Sequence, residues 1–203
     1  DRPLFQGGKE SSFTIEIAAN WKLAVENYCE SYHLPWVHPG LNSYSKLEDH
    51  YHIEYKNKFS GQGTKVYQQL KDKDGNVFPD FSNLKAKWDT AAEYIAVYPN
   101  VLLGVHRDHA FAIILIPDSP EKTYEHIHLF YSQEDTPEHL RLKNSKQWRL
   151  VFDEDVPVVE GMQKGRHAVN FDGGRFSPVM DNPTHCFHYW VANEVQNGRM
   201  QKS

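Results

Sequence analysis

The chain has 203 residues, a formal net charge of −5, 39% hydrophobic residues and two cysteines. That length suits one domain over residues 1–203, able to bury roughly 70% of its unfolded surface. The acidic balance argues against nucleic acid as a partner, no apolar run reaches the ~18 residues of a membrane span, and two widely spaced cysteines do not build a disulfide scaffold.

In chain order, the first predicted element is a helix over residues 20–33, with Asn20 as its cap. It runs into Asn27-Tyr28-Cys29-Glu30-Ser31-Tyr32-His33-Leu34-Pro35-Trp36-Val37-His38-Pro39-Gly40. Helical residues five apart point in different directions, and Pro35 disfavours a helix running through both histidines. His33 is therefore expected to close the helix, and His38 to reach back from the following turn. Two imidazoles that meet at a helix end can hold a metal, given one more ligand from elsewhere.

Extended runs follow at 51–59, 64–70, 94–98, 101–107, 110–116 and 123–132, rich in β-branched and aromatic residues. Ser60-Gly61-Gln62-Gly63, Pro99-Asn100, Asp108-His109 and Pro117-Asp118-Ser119-Pro120 read as the turns between them, short enough for an antiparallel meander. Residues 71–92 read as a loose insertion around the solvated turn Lys71-Asp72-Lys73-Asp74-Gly75-Asn76, either over a pocket mouth or as a plain surface loop.

Two helices follow, at 137–167 and 182–197. In the first, Val151, Asp155, Val158, Val159 and Met162 recur at helical spacing. Asp155 thus falls on the apolar face, where a carboxylate is costly unless paired or metal-bound. Asp153 and Glu154 fall to the sides as solvated residues. Pro157 is expected to bend this helix. Two histidines and a carboxylate on one face of a metal form the donor set of non-haem Fe(II) oxygenases, leaving about three octahedral positions for oxygen, water and substrate. Helix, antiparallel sheet and long C-terminal helices make an α+β chain, with the sheet wrapped around a helix and a cavity between.

Asn20-Trp21-Lys22-Leu23, Glu26-Asn27-Tyr28 and Glu30-x-Tyr32-His33-x4-His38-Pro39 resemble the catalytic domain of Rieske non-haem iron oxygenases, the ring-hydroxylating oxygenase alpha subunits and related monooxygenases. So do Glu154-Asp155 with Glu160-x-x-Gln163-x-Gly165, Gly174-Arg175-Phe176-Ser177-Pro178, and the tail Phe187-His188-Tyr189-Trp190. The resemblance covers nearly the whole chain. It implies a helix-grip, Bet v 1-like fold, with Fe(II) held by His33, His38 and Asp155 and with Asn27 beside the metal. It also implies that Glu30 bridges to a cluster-bound histidine of a neighbouring subunit in a trimer. Electrons would come from NAD(P)H through a reductase and a Rieske [2Fe–2S] cluster, and the outcome would be hydroxylation or oxidative dealkylation. Glu30 stands where the family often has Asp, and Asp181 where it usually has Glu.

A Rieske cluster needs two Cys and two His. Cys29 and Cys186 are the only cysteines, and Cys186-Phe187-His188 spells only half of such a motif. The cluster domain is therefore expected outside this chain, and the start Asp1-Arg2-Pro3 without Met favours excision. A reducing cytoplasm suits ferrous iron. Tyr28, Tyr32, Trp36, Phe111, Phe130 and Tyr131 are candidates for a pocket wall that takes an arene or, through cation–π contacts, a methylated ammonium. Two other readings compete: a zinc hydrolase on the same three ligands, and a non-catalytic binder of hydrophobic molecules. The pairs His50/His52, His126/His128 and His185/His188 lack a carboxylate or thiol at suitable spacing and read as polar-face or packing residues.

Overall fold

A computed structural model describes residues 3–200; Asp1 and Arg2, read above as an excised start, lie outside the described residues. Eight strands form one antiparallel sheet: β1 (Phe5–Gln6), β2 (Ser12–Ile17), β3 (His50–Tyr55), β4 (Phe59–Thr64), β5 (Ala92–Val97), β6 (Val101–Val105), β7 (His109–Ser119) and β8 (Lys122–Tyr131). Strands β3 to β8 pair in sequence order as a meander, and β1 and β2 both lie along the free edge of β8. The helices are α1 (Trp21–Cys29), α2 (Leu34–Val37), α3 (Pro39–Asn42), α4 (Glu138–Arg166) and α5 (Asn182–Met200). Among the described residues no helix is long and apolar enough to cross a membrane.

The sheet's two faces follow the period of two along its strands. On β8, Thr123, Glu125, Ile127, Leu129 and Tyr131 are buried, while Tyr124, His126, His128 and Phe130 alternate onto the outer face. The inner face meets α1, α4 and α5, where Leu23, Val25, Trp148, Phe152, Val159 and Phe187 join Phe111, Ile113, Leu115 and Ile127 in one core. The sheet thus grips helices on one side, as expected. His126 and His128 hydrogen-bond to Thr14 and Ser12 on the outer face, which bears out their polar-face reading.

The expected turn at Ser60-Gly61-Gln62-Gly63 is instead the middle of β4. Its glycines serve close packing rather than chain reversal. A Cβ on Gly61 would strike the Tyr94 carbonyl oxygen, and one on Gly63 the Tyr51 ring. The reversal falls at residues 56–58, where Asn57 takes a left-handed φ of 64°. Consequently 64–70 is not a strand beyond Thr64. The strand β2 escaped the sequence reading, although Phe13, Ile15 and Ile17 alternate with polar residues. The insertion 71–92 is pinned rather than loose. Phe78 is buried against Tyr131 and His109, the Ser132 hydroxyl donates to the Pro79 carbonyl, and Arg107 pairs with Asp80.

Helix α1 is shorter than expected, with the Asn20 side chain accepting from the Lys22 backbone N–H at 3.1 Å. The chain leaves it at Glu30 in an extended conformation (φ −118°, ψ 162°). His33 therefore does not close α1. It sits at the N-cap of α2, with Pro35 in the first turn, where a missing N–H costs nothing. Helix α4 runs through Pro157 as one element.

Candidate metal centre

His33 precedes α2, His38 lies at the junction of α2 and α3, and Asp155 projects from α4 between them. One ligand atom from each lies within 4.8 Å of the others, and among the described residues this is the one trio of His, Cys, Asp or Glu so placed. His38 Nε2 is 3.0 Å and His33 Nε2 3.6 Å from Asp155 Oδ1, and the two rings stand at 74°.

The opposite edge of each ring is tied to a carboxylate. His33 Nδ1 lies 2.5 Å from Glu30 Oε1, and His38 Nδ1 lies 2.8 Å from Glu154 Oε2. A carboxylate only accepts, so each Nδ1 carries a proton, and Nε2 is the nitrogen each ring offers a metal; in His38 that Nε2 lies 3.0 Å from Asp155 Oδ1 and gives up any proton of its own when a metal takes its place. Three carboxylates around two imidazoles leave an excess of negative charge that a divalent cation would balance. Burial opposes a charged His38, yet Asp155 and Glu154 outweigh it and raise its pKa above the ordinary value. Two imidazole nitrogens and a carboxylate fit Fe(II) as a donor set.

Glu154 corrects the sequence reading. It is not merely solvated but orients His38, whereas Asp153 does lie outside, paired with Arg149. Asn27 donates to Asp155 Oδ1 at 2.9 Å, beside the centre as the resemblance implied. Glu30 is buried, and its second oxygen accepts from the His33 backbone N–H at 3.2 Å. Its contact with His33 is thus a loop contact beyond the end of α1.

A cavity of about 80 Å³ opens beside the trio. Tyr28 and Phe111 line it as expected, with Tyr44, Tyr67, Tyr94, Trp148 and Phe152. Phe130 faces the outer side of the sheet, Tyr131 is in the core, and Tyr32 and Trp36 are exposed, so these four expected wall residues are not wall. Trp148, Phe152 and Asp155 stand at i, i+4 and i+7 on α4, so the missed aromatics carried a helical-spacing signal. None of residues 71–92 lines the cavity.

The aromatic wall is braced from behind. The Tyr67 hydroxyl donates to Asp108 Oδ1 at 2.9 Å, His109 Nδ1 lies 2.8 Å from the same oxygen, and Trp148 Nε1 donates to His109 Nε2 at 2.8 Å. An indole N–H only donates, so His109 carries its proton on Nδ1 and gives it to Asp108. Burial pushes Asp108 upward, but its His109 and Tyr67 contacts prevail and its pKa is lowered.

Glu125 lies on the core face of β8, 7% exposed. Burial, then the charge of Asp155, pushes its pKa up to about 8. It is held as the neutral acid near neutral pH while the unfolded chain ionises it near 4.5. The raised pKa gives stability present below pH 4.5 and lost as pH rises through 8. Glu125→Gln, an isostere of the neutral form, is expected to leave stability near pH 4 almost unchanged. Near pH 8 it should raise stability by as much as ~4 kcal/mol. Urea unfolding across that range checks it, and parallel curves for the two proteins would refute it.

The family described as ring hydroxylating alpha subunit (catalytic domain) matches residues 8–197. A chloroplastic choline monooxygenase of Arabidopsis thaliana is 28% identical over 91% of this chain and 43% of its own length. A putrescine 2-hydroxylase of Bordetella bronchiseptica is 26% identical over 93% of this chain and 47% of its own. The chain thus spans less than half the length of these curated relatives. The quaternary ammonium Rieske monooxygenase CntA in complex with L-carnitine shares the fold at a TM-score of 0.68 and 21% identity, covering 95% of this chain and 49% of that one.

Proposed function

Because this chain belongs to the ring-hydroxylating alpha-subunit family as a catalytic domain, we propose that it holds one Fe(II) on His33, His38 and Asp155 and oxygenates a small organic ammonium compound, by hydroxylation or oxidative dealkylation. The observation that carries this reading is the pair of imidazoles, each tied at Nδ1 to a carboxylate and turned at Nε2 toward Asp155. Ferrous iron, when bound, supplies the activation of dioxygen at positions its protein ligands leave open.

The chain's own residues do the rest. Glu30 and Glu154 keep the Nδ1 protons in place and so fix both rings. Asn27 orients Asp155 by donating to Oδ1. The aromatic wall excludes water and offers π faces to a cation, and no Lys or Arg lines the cavity to repel one. Relatives named for choline and putrescine support an amine-derived substrate over a plain arene. A zinc hydrolase or a passive binder finds no support among relatives named as a monooxygenase and a hydroxylase.

The same reading brings in a Rieske [2Fe–2S] domain, a reductase drawing on NAD(P)H, and a trimer in which Glu30 bridges to a neighbouring subunit's cluster. Exposed aromatics suit such a neighbour: Trp36 is 79% exposed, and Tyr32 shares a surface depression with Phe171, Phe176, Arg166 and Arg175. Free Cys29 and Cys186 suit a reducing compartment. The test is oxygen and NAD(P)H consumption by the full-length enzyme with its reductase. Trimethylammonium compounds should stimulate both by more than about tenfold over no substrate and yield oxygenated product, with activity lost on ferrous chelation. Turnover of arenes alone, or zinc-supported hydrolysis, would overturn the reading.

A further inference from the structure

The cavity has a second wall, opposite in chemistry to the aromatic one. Ser45, His50, Gln62 and Thr64 line it, from the loop after α3 and from β3 and β4, where His50 and Thr64 are cross-strand partners. Gln62 Nε2 donates to the Glu30 carbonyl at 2.7 Å, which turns its Oε1 toward His50 Nδ1 at 2.8 Å. That oxygen only accepts, so Nδ1 holds the proton and His50 Nε2, in the neutral ring, is an acceptor. Burial keeps the ring neutral by lowering its pKa, against the Gln62 hydrogen bond.

The proton count beyond that point is short. Ser45 Oγ lies 3.2 Å from His50 Nε2 and 2.7 Å from Thr64 Oγ1, and Thr64 Oγ1 lies 3.2 Å from the Val66 carbonyl. These are three contacts, and two hydroxyl protons serve them, while Thr64 Oγ1 also accepts the Val66 backbone N–H at 3.1 Å. With Thr64 donating to Ser45 and Ser45 to His50, both hydroxyl protons are committed, and the Val66 carbonyl and the second lone pair of Ser45 Oγ stay open. A ligand hydroxyl donates to either. A carboxylate is acceptor-only and donates to neither, and no Lys or Arg lines the cavity to receive it.

We propose that Ser45, His50 and Thr64 form a neutral, donor-seeking anchor that selects an organic ammonium substrate carrying a hydroxyl and rejects its carboxylate counterpart. This rests on the oxygenase reading and adds to it the polar end of the substrate. The substrate's cationic head lies against the aromatic wall and its hydroxyl meets Ser45.

Calorimetric titration of the iron-replete, full-length enzyme tests this with three probes that share a trimethylammonium head. They carry 2-hydroxyethyl, propyl or carboxymethyl as the fourth substituent. The hydroxyl compound is expected to bind about tenfold tighter than the propyl compound, one hydrogen bond's worth. The carboxylate compound should bind at least ~100-fold more weakly than the hydroxyl compound. In Ser45→Ala and in Thr64→Val the hydroxyl-to-propyl preference should fall to about one, with propyl binding changed less than about threefold. Equal binding of hydroxyl and propyl compounds by the unaltered enzyme overturns the anchor and leaves the ammonium reading standing. So does preference for the carboxylate, or a preference for hydroxyl that survives both substitutions. Binding of none of the three overturns the ammonium reading itself, and the anchor with it.

Discussion

Asp155→Ala is expected to reduce ferrous iron uptake from about one equivalent per chain to less than ~0.1. Asp155 is the only anionic ligand of the trio, and both Nε2 atoms face its Oδ1. Two neutral imidazoles alone do not outcompete water for Fe(II), which favours oxygen donors beside nitrogen. The fold should survive the change, because removing one carboxylate relieves the crowding of Glu30, Glu154 and Asp155. The main local loss is the acceptor for Asn27 Nδ2. Asp153→Ala is the matched control, since Asp153 faces outward to Arg149 in an exposed pair worth ~0–1 kcal/mol. Anaerobic reconstitution with ferrous iron, desalting and metal analysis by mass spectrometry decide it. Stoichiometric iron in Asp155→Ala would remove Asp155 from the site.

What the sequence made legible follows from the range of each signal. The helical period around Asp155 is local and strong, so the acid's place on the inner face of α4 could be read directly, and the order of strands β5 to β8 could be read from their β-branched runs. The Gly61 and Gly63 positions look like a turn because glycine answers two needs, reversal and close approach. Only the tertiary neighbours, the Tyr94 carbonyl and the Tyr51 ring, reveal which applies. The loop from Glu30 to His33 looks helical in the sequence because nothing in the local period marks the helix end. The helix stops where the Glu30 carboxylate finds the His33 ring and backbone, a side-chain contact stronger than one more helical turn. Glu154 looks solvated in the sequence for a related reason. Its position at the side of α4 is right, but His38 reaches that side from across the site. The aromatic wall mixes residues from α1, α4, β5, β7 and the segment after β4, so no single stretch of sequence announces it.

Glu30→Gln is expected to weaken ferrous binding by about 10- to 100-fold and to lower NAD(P)H-driven turnover of the full-length enzyme further than the lost iron explains. Glu30 accepts twice, from the His33 ring through Oε1 and from the His33 backbone N–H through Oε2. A glutamine has one acceptor oxygen and sets an NH₂ against the other N–H, so one of the two contacts must go. If the ring contact goes, His33 loses its fixed tautomer. If the backbone contact goes, the loop before α2 loses the tie that holds His33 in place. The loop itself should hold, because Gln62 still donates to the residue-30 carbonyl. Glu154→Gln supplies the contrast. Its contact with His38 is single, and a glutamine oxygen can replace it, so iron affinity should change less than about fivefold. The excess loss of turnover in Glu30→Gln follows from the missing charge at the proposed bridge, where the carboxylate would also meet the neighbouring subunit's cluster-bound histidine. Iron affinity by competition with a chelator, and turnover expressed per bound iron, separate the two roles. Full iron affinity with unchanged turnover per iron would show that Glu30 neither orients His33 nor links the subunits, and electrons would have to enter along another path.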